Sequence, residues 1–100
     1  MTKIKICGIT NYEDAANACI LGADYLGFNF YENGPRYINE MELKAFIKKL
    51  PKSVKKVGVF VNDDIEKVAK RVKNLNLDSI QLHGKETPQY CNKIKKQTSK

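Results

Sequence analysis

Short runs rich in β-branched and aromatic residues alternate with longer runs in which apolar residues return every three or four positions, and this change of period occurs four times along the chain. Strands are predicted at about residues 3–7, 25–30, 56–61 and 79–83, each followed by a helix. In the first helix Thr10 and Glu13 have capping-box spacing, and Tyr12, Ala15, Ala16, Cys19 and Ile20 form one apolar stripe closed by Gly22. Asn39, with Glu42 three residues on, caps the second helix. Leu43, Phe46, Ile47 and Leu50 make its stripe, and Pro51 stops it. Asn62, Asp63 or Asp64 caps the third, whose stripe is Ile65, Val68, Ala69 and Val72, extending to Leu75. Thr87-Pro88 opens the fourth, because proline at the first helical position sacrifices no hydrogen bond. Tyr90, Cys91 and Ile94 are expected to face inward there, and residues 95–100 to fray.

Strand and helix in strict alternation imply an α/β fold with parallel strands joined by right-handed crossovers. Four such units wind in one sense. They fit a doubly wound open sheet or part of a barrel, and the pattern alone does not separate the two. No linker, repeat break or low-complexity stretch divides the chain, so residues 1–100 are expected to form a single (βα)4 unit.

Composition excludes several classes. The chain is 42% hydrophobic and 29% charged, too apolar for disorder. No apolar run approaches the ~18 residues of a membrane span, and no signal-peptide pattern precedes the first strand, so a cytoplasmic location without membrane contact is expected. Cys7, Cys19 and Cys91 are odd in number and scattered, which argues against a disulfide framework or a metal site. Cys19 and Cys91 are expected to be small buried residues. Residues 1–50 carry six Lys/Arg and six Asp/Glu, whereas residues 51–100 carry twelve and five and so hold the whole net charge of +7. The lysines fall on helix faces that should be solvated, with no nucleic-acid-binding motif beside them, so no nucleic-acid partner is expected.

In either architecture ligands bind at the carboxyl ends of the strands. Strand one ends in Cys7-Gly8, strand two runs toward the Gly34-Pro35-Arg36-Tyr37 loop, strand three ends in Val61-Asn62, and strand four ends in His83-Gly84. Alternation places Lys5 on the face of Cys7, one step deeper. It also turns Gln81 and His83 toward the site and Ile80 and Leu82 toward the helices. A thiol with a pKa of about 8.5 is a usable base near neutral pH, more so beside a cation such as Lys5 or Arg36. Arg36 has the planar fork suited to a carboxylate or phosphate.

Taken together, Lys5-Ile6-Cys7-Gly8-Ile9-Thr10, Gly22-Ala23-Asp24 with Leu26-Gly27-Phe28, Gly34-Pro35-Arg36-Tyr37, Val57-Gly58-Val59-Phe60-Val61-Asn62 and Gln81-Leu82-His83-Gly84 resemble the motifs of the phosphoribosylanthranilate isomerases of tryptophan biosynthesis, in that family's order and spacing. The resemblance implies the N-terminal half of a (β/α)8 TIM-type barrel that works without cofactor or metal. It implies an Amadori rearrangement, a ketol-isomerisation of N-(5-phosphoribosyl)anthranilate to the 1-deoxyribulose 5-phosphate. Cys7 is implied as the general base taking the C2′ proton of the ring-opened iminium, and Arg36 as the contact for the anthranilate carboxylate. His83, Gln81 and Lys5 are implied as pocket residues. A whole barrel takes roughly 200 residues or more, and the family's acid aspartate and phosphate loops follow later strands. The chain alone is therefore expected to be inactive, with a second chain or copy completing the barrel. The alternatives are an inactive self-associating half-barrel and a basic binding module.

Overall fold

A computed structural model describes residues 3–31, 34–82, 84 and 86–98. Its elements follow the alternation: β1 (Lys5–Ile6), α1 (Tyr12–Ile20), β2 (Tyr25–Asn29), α2 (Glu40–Lys44), a 3-10 turn (Ile47–Lys49), β3 (Lys55–Phe60), α3 (Ile65–Leu75), β4 (Ser79–Leu82) and α4 (Pro88–Thr98). The strands form one parallel sheet in the order β1-β2-β3-β4. That order decides between the two architectures. A doubly wound sheet reverses its strand order at a switch point and so carries helices on both faces. Strands laid down in sequence by crossovers of one hand keep every helix on one face, as a barrel requires.

The core lies between the sheet and its helices. Leu26 and Phe28 of β2 and Phe60 of β3 are wholly buried against Ala15, Leu43 and Val68, with Ile94 from α4 and the half-buried Ile80 and Leu82 of β4 in the same cluster. Ile80 and Leu82 thus face the helices as their alternation predicts. The second helical stripe also matches its pattern: Leu43, Phe46, Ile47 and Leu50 are all buried, although the helix breaks into α2 and the 3-10 turn. Asn39 caps α2, its Oδ1 accepting the Glu42 N–H at 2.8 Å and its Nδ2 donating to the Glu42 carboxylate at 2.7 Å.

The first helix departs from expectation. Asn11, not Thr10, is the cap, with Asp14 as its partner. The buried residues are Ala15 and Ala18, while Ile20 is 81% exposed. The helix is rotated so that its smallest side chains meet the sheet, and Tyr12 reaches sideways to Phe46, with ring centroids 5.9 Å apart. In α4, Tyr90 and Ile94 pack inward but Cys91 is exposed, one residue being about 100° of helical turn away from the stripe. Cys19 is half-buried rather than fully buried. The helix continues to Thr98, whose hydroxyl donates to the Ile94 carbonyl at 2.7 Å, so residues 95–98 do not fray.

At the amino ends of the strands one device occurs twice. Asp24 accepts the Ile4 N–H on its carboxylate and donates its own N–H to the Ile4 carbonyl, both at 2.8 Å. Asp78 does the same with Lys56, again at 2.8 Å in both directions. Each aspartate fixes the register of a strand against its predecessor. Lys56 is the buried charged residue among those described; its Nζ donates to the Pro51 carbonyl at 2.6 Å. Burial pushes its ammonium below the usual lysine value, against the opposing pull of Asp78.

Candidate functional site

Of the residues that alternation assigns to the sheet face opposite the helices, Lys5 and Gln81 lie in strands among the described residues. Lys5 pairs with Tyr25, Gly27 with Val57, Asn29 with Val59 and Val59 with Gln81. Lys5 and Gln81 share one concavity of about 380 Å³ with Lys3, Tyr25, Val57, Ser79 and Ile80. Lys5 is exposed and Gln81 half-buried.

Cys7 and the Arg36 side chain both lie at the carboxyl end of the sheet, Cys7 against Gly27 and Arg36 against Gly8. Cys7 lies across β2 at Gly27, where a Cβ would stand 3.1 Å from Cys7 Sγ and 3.3 Å from its Cα. The absence of a side chain at Gly27 is what lets β1 end this close. Gly8 then turns the chain with φ +77°, and both its N–H and that of Ile9 donate to the Gly27 carbonyl, at 3.1 and 3.3 Å. The Arg36 side chain runs directly over Gly8: a Cβ there would overlap Arg36 Cδ and lie 3.4 Å from its Cβ and Cγ. The residue after Cys7 is therefore the seat of Arg36. Both Cys7 and Arg36 are exposed.

The Arg36 loop is anchored behind. The Ile38 N–H donates to the Asn29 carbonyl at 3.0 Å, and Tyr37 bridges to Asn29. Asn29 Oδ1 is buried and has no hydrogen-bond partner among the described residues. An unbonded acceptor of this kind at a strand end suits a ligand donor. Gly8→Ala should weaken ligand binding and lower Tm by several degrees, because the left-handed backbone costs alanine about 1–2 kcal/mol and the new methyl displaces Arg36. Thermal melting and ligand titration of the variant check this.

His83, expected at the pocket wall, lies outside the described residues. Several residues near the β3 and β4 ends carry contacts that the sequence pattern does not mark. Glu86 accepts the Asn62 N–H at 2.7 Å and the Gly84 N–H at 2.9 Å. Arg71 reaches Asp63 at 3.3 Å and Glu40 at 3.7 Å and lies 5.1 Å over the Phe30 ring, tying α2 and α3 to the loop after β3. Asp64, one of the three caps the sequence offers, takes the N-cap position of α3, without a side-chain bond. For the Glu86 contacts the only sequence signal is a carboxylate two residues after a strand-end glycine.

The Tyr90 hydroxyl donates to the Asp63 carbonyl. Burial, with the Asp63, Glu86 and Asp64 carboxylates, pushes its phenol up to about 12. An unfolded tyrosine ionises near 10. Above pH 10 the native state therefore holds a proton that the unfolded chain releases, and this contribution is lost as pH rises through about 12. Alkaline denaturation between pH 10 and 12 should be shallower in Tyr90→Phe than in the unsubstituted chain. That variant should also lose roughly 1 kcal/mol at neutral pH with the hydrogen bond.

A family model described as N-(5'phosphoribosyl)anthranilate (PRA) isomerase matches residues 4–100. The chain belongs to the N-(5'-phosphoribosyl)anthranilate isomerase family. Relatives of that name include a protein of Citrifermentans bemidjiense, 46% identical across the whole chain, and one of Trichlorobacter lovleyi, 49% identical across the whole chain. The chain spans 48% and 49% of their lengths, about half of each. A solved phosphoribosyl anthranilate isomerase from Thermotoga maritima superposes with a TM-score of 0.93 at 43% identity, over 96% of this chain and 47% of that one. A further isomerase structure, in complex with reduced 1-(o-carboxyphenylamino)-1-deoxyribulose 5-phosphate, matches equally well, with a TM-score of 0.93 over 96% of this chain and half of that one. The fold is accordingly four βα units of a (β/α)8 isomerase barrel. Among the described residues no helix is long and apolar enough to cross a membrane, and no cluster of three or more metal-type ligands occurs.

Proposed function

We propose that the chain supplies the base-bearing half of a phosphoribosylanthranilate isomerase acting in tryptophan biosynthesis. The observation that carries this reading is the seat of Arg36 on Gly8, immediately beside Cys7. It lays the Arg36 side chain, the contact read for the anthranilate carboxylate, over the residue that follows the thiol read as the base for the C2′ proton. A bound substrate would lay its carboxylate on Arg36 and its reacting carbon over Cys7. Asn29 Oδ1 offers an acceptor at the end of β2, and Lys5 and Gln81 line a concavity nearer the strand starts on the same face.

The reaction needs a second group, an acid that protonates the ring oxygen as the furanose opens. Among the described residues at the rim, two carboxylates are already engaged, and a third, Asp64, stands at the N-cap of α3. Glu86 holds two backbone amides, and Asp63 holds Arg71 and the Asp64 amide. We assign the acid and the phosphate-binding groups to the half of the family fold outside these four units, in the same protein or in a second chain.

Two assays test the proposal. The chain alone should show no turnover of N-(5-phosphoribosyl)anthranilate, and measurable turnover would overturn its role as a half-site. Joining it to the second half of the Citrifermentans relative should produce an active enzyme. A folded joined protein that stays inactive would sink the isomerase assignment.

A further inference from the structure

We infer that Glu86 is a positioning residue, a single carboxylate that joins the loop after β3 to the loop after β4 and so fixes how far apart the two strand ends stand at the ligand site. This rests on the isomerase reading above and adds to it a residue that touches no substrate.

The ladder between β3 and β4 ends at the pair Phe60↔Leu82. Beyond it the two chains turn away toward their helices, and the carboxylate of Glu86 takes over the cross-link. Its Oε2 accepts the Asn62 N–H at 2.7 Å and its Oε1 the Gly84 N–H at 2.9 Å. Hydrogen bonds to an ionised acceptor are the stronger kind, and both oxygens of one rigid group are in use. The loops also touch. Asn62 turns with φ 48°, and a Cβ on Gly84 would stand 2.6 Å from Asn62 Cγ and 2.8 Å from its backbone nitrogen. Gly84 is thus the residue type that allows the spacing the carboxylate sets.

The clamp has a second jaw in the first turn of α4, just after Glu86. Thr87 Oγ1 accepts the Tyr90 N–H at 3.1 Å, which starts α4 directly after Glu86, and the Tyr90 hydroxyl holds the carbonyl of Asp63, the residue after Asn62. The start of α4 therefore grips the β3 loop twice, through Glu86 and through Tyr90. Gly84 follows His83 in the chain, and Gln81 pairs with Val59 on the open face. A displaced Gly84 would carry with it the strand end that the isomerase reading gives to the pocket wall.

Backbone amide exchange measured by NMR on the chain, on Glu86→Ala and on Glu86→Gln tests the clamp. In Glu86→Ala the Asn62 and Gly84 amides should both exchange at least tenfold faster, while the β1 and β2 amides keep their rates. A carboxamide has one acceptor oxygen, so Glu86→Gln should release one of the two amides and keep the other. Unchanged rates at both positions in Glu86→Ala, or a uniform acceleration across all strands, would overturn the inference. Titration of the joined protein, with and without each substitution, against the reduced product analogue supplies the functional reading. Affinity should fall at least fivefold in Glu86→Ala and less in Glu86→Gln, at a Tm within a few degrees of the unsubstituted joined protein. Equal affinity in all three proteins would refute the positioning role. Absence of binding by the joined protein with Glu86 intact would refute the isomerase reading instead, and the exchange rates would then decide the clamp by themselves.

Discussion

Cys7→Ala, made in the chain joined to the second half of a family relative, is expected to lower the rate of isomerisation by about 10²–10⁴-fold, the usual share of a positioned general base. The fold should hardly notice. Cys7 is exposed and lies beyond the last residue of β1, and surface changes of that kind usually fall within about 0.5 kcal/mol. Arg36 keeps its seat on Gly8, so substrate binding should persist and the loss should appear in kcat rather than KM. Cys7→Ser should be nearly as poor, since a hydroxyl is a far weaker base than a thiolate at neutral pH. Activity above a tenth of the parent value in Cys7→Ala would remove the thiol from the mechanism.

The largest effect on stability is expected at Phe60. It is wholly buried and stacks on Phe30 with centroids 5.1 Å apart, and it packs where β3 meets the helices. Phenylalanine-to-alanine changes in a core cost about 3–5 kcal/mol, out of the roughly 5–15 kcal/mol that holds a domain folded. Phe60→Ala should therefore lower Tm by at least roughly 12 °C, given about 4 °C or more per kcal/mol in a domain of this size. The damage should spread to the rim. Phe30 carries the Arg71 guanidinium on its ring, and Arg71 holds Asp63 and Glu40. Thermal melting of the variant, with the Asp63 and Arg71 resonances followed by NMR, tests both parts. A shift of only a few degrees would show that the core closes over the gap.

The contrast between Phe60 and Cys7 also separates what a sequence can reveal from what it cannot. Burial follows periodicity, so the Leu43–Leu50 stripe and the helix-facing pair Ile80 and Leu82 are legible in the order of residues alone. Periodicity fails in α1, where alanines at neighbouring phases give the stripe no unique centre. The larger Tyr12 and Ile20 pull the expected stripe toward themselves, yet Ile20 stands in solvent. Strand ends are legible as places but not as contacts. That Arg36 rests on Gly8 depends on a loop whose path no local rule dictates. That Glu86 bonds Asn62 depends on two strands 22 residues apart, as in the pair Val57↔Ser79, coming into register. Hydrogen bonds from side chain to distant backbone leave almost no trace in composition or period, and the clamp and the Arg71 junction are both of that kind.

The sequential strand order has a consequence for how the chain acquires its structure. Every strand pairs with the one made just before it, and the widest gap between paired strand starts is the thirty residues from Tyr25 to Lys55. Loop-closure entropy grows only slowly with loop length, so each step costs about the same as the one before. Each new βα unit leaving the ribosome meets a finished strand edge to dock on, and its own edge becomes the template for the next. Synthesis and assembly then run in the same direction, and the growing sheet shields each finished inner edge before another unit is exposed.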